Sequence, residues 1–316
     1  MEWILSVIMA VSCAMVLVAK SPEESPVAAR RDQLKTALQQ EWEYQMRTYP
    51  EFATSVGDNR YNDRLSDYSA EAFAAQLQHA QHVLPAFEAI DPAGFPEQER
   101  LSRELMIRSL REQIEGAKFK DWEMPVDQMN GLHIGLANLP SSTTFHTVKD
   151  YQDYLARLHQ IPRVLDQATA DMRLGLGDHL VPPRFLLEKV VVQAQDIASK
   201  PVKDSPFSQP VNKFPAGISE TEQKELREAV FNEVTHDVAP AYARLAEFLR
   251  NDYAPKGRTE WGIWALPDGD ARYRFYIRQM TTTDMLPDAI HKLGVKQVAE
   301  IETEMLKIAR QQGFND

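Results

Sequence analysis

The sequence predicts a predominantly helical, all-α fold, and three observations carry the prediction. Apolar residues recur at steps of three and four along much of the 316-residue chain, the spacing that gathers them on one face of a helix. Hydroxyl residues stand ahead of two of these runs with an acidic residue three positions later, which is how a helix start satisfies its first N–H groups. Strand-like alternation is confined to "RYRFYIR" at 272–278, so at most a minor β-hairpin near 262–280 is expected.

Taken in chain order, the first stripe is Leu34, Leu38, Trp42 and Met46, and the clearest is Phe73, Leu77, Ala80, Leu84 and Phe87. Pro85 falls inside the second and should kink that helix or end it near Leu84. Leu101, Leu105 and Ile114 mark the next, after the turn-rich "AIDPAGFPEQ" at 89–98. Thr147 with Asp150 caps the run of Tyr151, Leu155, Leu158 and Leu165, and Ser219 with Glu222 caps another. Between them lie "GLGDHLVPPR" at 175–184 and a long connection from Lys200 to Gly217 with four prolines, the kind of segment that tends to be functional or mobile. "LPDGD" before residue 272 reads as a turn. The last helix has Pro287 at its first position and the stripe Ile290, Leu293, Val298, Ile301, Met305 and Ile308. Gly313 followed by Phe314 has the pattern of a left-handed cap whose next residue packs back on the last turn.

Composition narrows the functional classes. A formal charge of -11 and a pI near 5.3, without clustered Lys and Arg, argue against a general affinity for nucleic acid. Trp3 to Ala19 carries no charge and is followed by "KSPEESP", so residues 1–20 read as an export signal or an uncleaved anchor. Lys20, Arg30 and Arg31 after the run would favour a cytoplasmic body if it stayed in the membrane. Cys13 is the single cysteine. "AVSC" at 10–13 loosely matches a lipoprotein signal, which makes Cys13 a lipidation candidate beside its plainer reading as a small apolar residue. The expected organisation is a leader over 1–20, a linker over 21–30 and a helical domain over 31–316.

No His-Glu-x-x-His motif occurs, since none of the eight histidines is followed by Glu. His79 and His82 read as a solvated pair without a third metal ligand. His133 and His146 lie in loop-like sequence, where functional residues concentrate. Asp268 and Asp270 flank Gly269 as in a turn and lack the later oxygen ligands of a calcium loop. Glu300, Glu302 and Glu304 point to different sides of a helix and read as solvated flank. Nucleophile elbows and phosphate-cradling glycine loops are absent too. His291 sits just inside the last helix, where the dipole disfavours its cationic form.

The order of several local signatures resembles a bacterial family, domain of unknown function 885. They are "YPEFATSVGDNRYNDRLSDYS" at 49–69, "DYQDYLARL" at 150–158, "DMRLGL" at 171–176, "PAYARLAEFLRNDY" at 240–253 and "GIWALPDGDARYRFYIRQMTTTDMLPDAIHKLGVKQVAEIETEM" at 262–305. The resemblance implies a helical, secreted or lipid-anchored protein related in fold to zinc oligopeptidases of the thimet and neurolysin kind. A zinc-binding His-Glu motif is implied beyond the segment seen here, so no catalytic residue, no metal ligand and no cofactor is expected in this chain. Leu286 departs from the pattern, where a hydroxyl usually caps the helix. The expectation is an N-terminal, substrate-groove half truncated at its C-terminus, exported to the periplasm or envelope, with a peptide ligand and a missing C-terminal half as partners. Its candidate substrate contacts are His133, Tyr273, Tyr276 and His291. The alternative is a non-catalytic helical binding or regulatory protein of the envelope.

Overall fold

The computed structural model describes residues 26–314. Cys13 and the leader over 1–20 lie outside the described residues. Twelve α-helices make up the described chain, so the all-α expectation holds. The only β-type pairing among the described residues is one isolated bridge between Pro183 and Arg258.

The first helix, α1 (Pro26–Thr48), overlaps the span expected as a linker. It is followed by α2 (Pro50–Ser55), α3 (Ala70–Ala89) and α4 (Glu97–Gly116). The α3 helix continues through Pro85 rather than ending at Leu84. The carbonyl that proline leaves without a donor, four residues earlier, belongs to exposed Gln81, where water can take the bond. Leu34, Ala80, Phe87, Ile90, Ile107 and Leu110 close a small core between α1, α3 and α4.

A larger core surrounds α7 (Val148–Gly177), reached through the short α5 (Leu132–Ala137) and α6 (Leu139–Ser142). Thr147 and Asp150 form the expected capping box at its start. Against α7 pack α9 (Glu220–Glu233) and α10 (Ala239–Phe248), and α8 (Arg184–Ser199) packs on α10, with Leu158, Ile161, Val164, Leu187, Val190 and Leu245 all buried in the shared core. The proline-rich segment over 200–217 is no open loop. Two 3-10 turns, Val202–Asp204 and Pro206–Val211, tuck Phe207 and Val211 into this core.

From Ser219, whose side chain and Glu222 form the second capping box, the chain stays helical through Lys256 with two π-helical stretches, Val234–Val238 and Leu249–Tyr253. Each ends two residues before a proline, Pro240 and Pro255. The wider turns carry Ala239 N–H to the Val234 carbonyl and Ala254 N–H to the Leu249 carbonyl. Widening relieves the clash that a proline ring makes with the carbonyl of the preceding turn, so the helix continues where it would otherwise break.

The stretch expected to alternate as a strand is helical: α11 spans Gly269–Thr281, and a 3-10 turn at Ile263–Ala265 precedes it. Arg272 and Phe275 are buried three residues apart while Tyr273 and Arg274 are exposed, a helical spacing that the alternation of large and basic side chains concealed. The last helix, α12 (Pro287–Gln311), has no buried residue. Leu286 occupies its N-cap without a side-chain bond. At its end Gly313, at φ 87°, donates to the Arg310 carbonyl and Phe314 to the Ala309 carbonyl, the paired bonds of a Schellman cap. No helix among the described residues is long and apolar enough to cross a membrane.

Candidate functional site

The principal candidate site forms where the 117–123 segment meets α7. Asp171 and Gly175 lie four residues apart, on one face of that helix. A Cβ on Gly175 would stand 2.7 Å from the Glu123 carbonyl oxygen and 2.8 Å from that of Leu180, so only glycine admits the 3-10 turn Asp121–Glu123 this closely. The turn presents Trp122 to Phe73 of α3, and the two rings stack at 5.1 Å between centroids with 18° between planes.

Beside this ring pair opens a cavity of about 450 Å3, walled by Tyr68, Phe73, Trp122, Pro125 and Leu132, with Asn130 and Asp171 as its polar groups. Its size lies within the range of small-molecule sites. A second cavity of about 300 Å3 lies against the same ring pair, along Leu77, Gln113 and Lys120. A third, of about 720 Å3, shares Asp171 and is lined by Arg163, Asp166 and Arg173.

Asp171 is 2% exposed and has no hydrogen-bond or ion-pair partner among the described residues. Burial, reinforced by the negative charges of Glu123, Glu71 and Asp67, pushes its carboxyl up to about 7. The neighbouring Glu123 is also buried and is likewise pushed up, by burial first, with Lys120 opposing. Its Oε2 has no partner. Lys120, in the left-handed region at φ 49°, lies 3.4 Å from Glu123 but gives its shorter contact to Asp178. The basic groups of the third cavity are engaged elsewhere: Arg163 with Gln167 and Asp67, and Arg173 over the Phe248 ring. Asp171 therefore changes charge near neutrality and has no cation of its own, which suits it to accept a proton or a ligand cation.

The four residues expected to contact substrate do not gather here. His133 lies buried in α5, its Nε2 3.1 Å from Gln193 Oε1 and its carbonyl accepting from the Tyr242 hydroxyl at 2.7 Å. Burial lowers its pKa, so it is held neutral. Tyr276 joins the anchor of α11. Its hydroxyl donates to the Asp121 carboxylate, which also pairs with buried Arg272, while Arg272 Nη2 donates to the Phe119 carbonyl at 2.7 Å. Burial, followed by the Asp121 carboxylate, pushes the Tyr276 phenol up to about 12. Tyr273 is half-exposed on the same helix, and His291 is exposed in the first turn of α12.

His79, expected as solvated, instead places Nε2 2.8 Å from the buried Glu41 carboxylate and stacks on Tyr44 at 3.4 Å. Sequence reasoning passed over Asp171, Tyr68, Phe73 and Trp122 as a group. One signal was available: Asp171 continues the face of Val164, Leu165 and Ala168, a carboxylate in register with an apolar stripe. Among the described residues no group of three or more His, Cys, Asp or Glu could hold a metal ion.

Comparison with a solved structure supports the fold. A candidate lipoprotein from Colwellia psychrerythraea superposes with a TM-score of 0.80 at 19% identity, covering 91% of this chain and 52% of the other. This chain thus spans about half the length of that protein. No curated protein matches the sequence. The family described as "Bacterial protein of unknown function (DUF885)" matches residues 50–316, and on that match the chain belongs to this family.

Proposed function

We propose that this chain is the substrate-side half of an exported, zinc-metallopeptidase-like protein acting on peptides, related in fold to the thimet and neurolysin oligopeptidases. The observation that carries the reading is α12. Leu293, Val298, Ile301, Met305 and Ile308 stand 44% to 64% exposed along one side of a helix without a buried residue. A row of this kind calls for a covering surface. The occupant we assign to it is polypeptide equivalent to the portion of the Colwellia protein that this chain does not cover.

Zinc does not fit the residues present, because no qualifying donor group exists among those described. We therefore place the metal and the general base of this reading outside the chain, whose own part is to bind and align peptide. The charge-free run from Trp3 to Ala19 and Cys13, with a candidate lipoprotein as structural neighbour, support export, with Cys13 as the candidate for lipid attachment in the envelope. The net charge of -11 argues against nucleic acid as a partner.

A second reading, a non-catalytic binding protein, is favoured by one observation: a cavity of about 450 Å3 walled by Tyr68, Phe73 and Trp122 opens on the unpartnered Asp171 carboxylate. Peptide turnover tests the first. Purified and incubated with zinc and a mixture of short peptides, the chain should cleave none of them. Zinc-dependent cleavage that copurifies with the chain, and is altered by substitutions within it, would overturn the assignment of chemistry to a second half.

A further inference from the structure

We infer that the cavity between Tyr68, Phe73, Trp122 and Asp171 binds an organic ammonium carrying an apolar or aromatic body, with the Asp171 carboxylate as its counter-ion. The inference holds whether or not the protein takes part in peptide hydrolysis. Three aromatic side chains and Leu132 supply the apolar walls, and no basic residue lines the cavity. An ammonium near such rings is attracted to their faces. Asp171 is 2% exposed and unpartnered among the described residues. A buried carboxyl without a partner is costly in its charged form unless a cation joins it.

The charges around Asp171 favour a cation over an anion. Glu123 from the 3-10 turn, Glu71 from α3 and Asp67 from the preceding loop all oppose its ionisation. Arg163, Asp166 and Arg173 of its own helix line the adjoining cavity, but none of them pairs with it. Its carboxyl titrates near 7 in the free protein, and a bound cation would favour the ionised form. Binding should therefore strengthen as pH rises through neutrality.

The test is calorimetric titration of the full chain with phenethylamine, using 2-phenylethanol as the neutral probe of the same body. At pH 8 the amine should bind at least tenfold more tightly than the alcohol, and about tenfold more tightly than it does at pH 6, following ionisation of a group with a pKa near 7. Asp171→Asn should weaken amine binding at least tenfold and leave the alcohol unaffected, with the fold checked by its melting transition. Two further probes locate the source of the ammonium, a dipeptide amide beginning with phenylalanine and its N-acetyl form. Loss on acetylation would assign the cavity to peptide N-termini, whereas binding of phenethylamine alone would assign it to a free amine. Equal affinity for amine and alcohol, unchanged amine binding by the folded Asp171→Asn protein, or no binding of either ammonium probe would overturn the inference.

Discussion

Replacing Asp171 by Asn should stabilise the protein, and only above the acid range. An unfolded-chain Asp titrates near 3.9, whereas the buried carboxyl of Asp171 titrates at about 7. Below about pH 3 the group is protonated in both states and contributes no pH-dependent difference. Between about 4 and 7 the unfolded chain releases its proton while the folded one retains it, so stability falls as pH rises, then levels off above 7. A shift of about three units corresponds to roughly 4 kcal/mol at full strength. Because the residue borders two water-accessible cavities, screening should reduce this to about 1–2 kcal/mol. For a chain of this size that is a melting-temperature gain of about 2–6 °C. Asp171→Asn, nearly the same shape as the protonated acid, should show that gain at pH 8 and little at about pH 3, measured by circular dichroism. An equal change at both pH values, or a less stable variant at pH 8, would refute the argument that a buried, unpartnered carboxylate strains the site.

Arg157 supplies the remaining stability predictions. Its buried guanidinium donates to Thr54 Oγ1 at 2.6 Å, to the Arg64 carbonyl at 2.8 Å and to the Pro50 carbonyl at 3.1 Å, tying the segment after α1 onto α7. Arg157→Met should cost about 3 kcal/mol in chemical denaturation, because these oxygens and the Tyr61 carbonyl, 3.3 Å from the guanidinium, lose a charged donor together, and should expose residues 50–64 to limited proteolysis. Arg157→Lys keeps the charge but loses the planar fork, and should fall between the two. A Met variant as stable as the parent and equally protease-resistant would show that the clamp contributes nothing.

Much of the fold was legible in the sequence because it rests on local signals. The boxes at Thr147 and Ser219 and the corner at Gly313 are decided by residues within one turn, and each forms as read. The misreadings arose where distant contacts decide. Residues 272–278 are helical because Arg272 and Phe275 are drawn to Asp121 and Phe119, some 150 residues away in sequence. The 200–217 segment is ordered because Phe207 finds the α7 core, with its carbonyl accepting from Tyr154 at 2.8 Å. The candidate site combines α3, the 117–123 segment and α7, which no local window brings together. Its one local trace, an acid on the apolar face of α7, reads equally well as an ordinary surface residue until the face is known to be buried.

The central claim is that the apolar side of α12 is a docking surface rather than part of this chain's own core. The most direct measurement compares the parent with an Ile301→Glu, Ile308→Glu variant by apolar-dye fluorescence and thermal melting. These side chains are 58% and 56% exposed, so the parent should bind dye and the variant several-fold less, with the two melting within about 1 °C of each other. A parent that binds no dye, together with a variant that melts several degrees lower, would mean that the chain buries this face itself, and the account would fail.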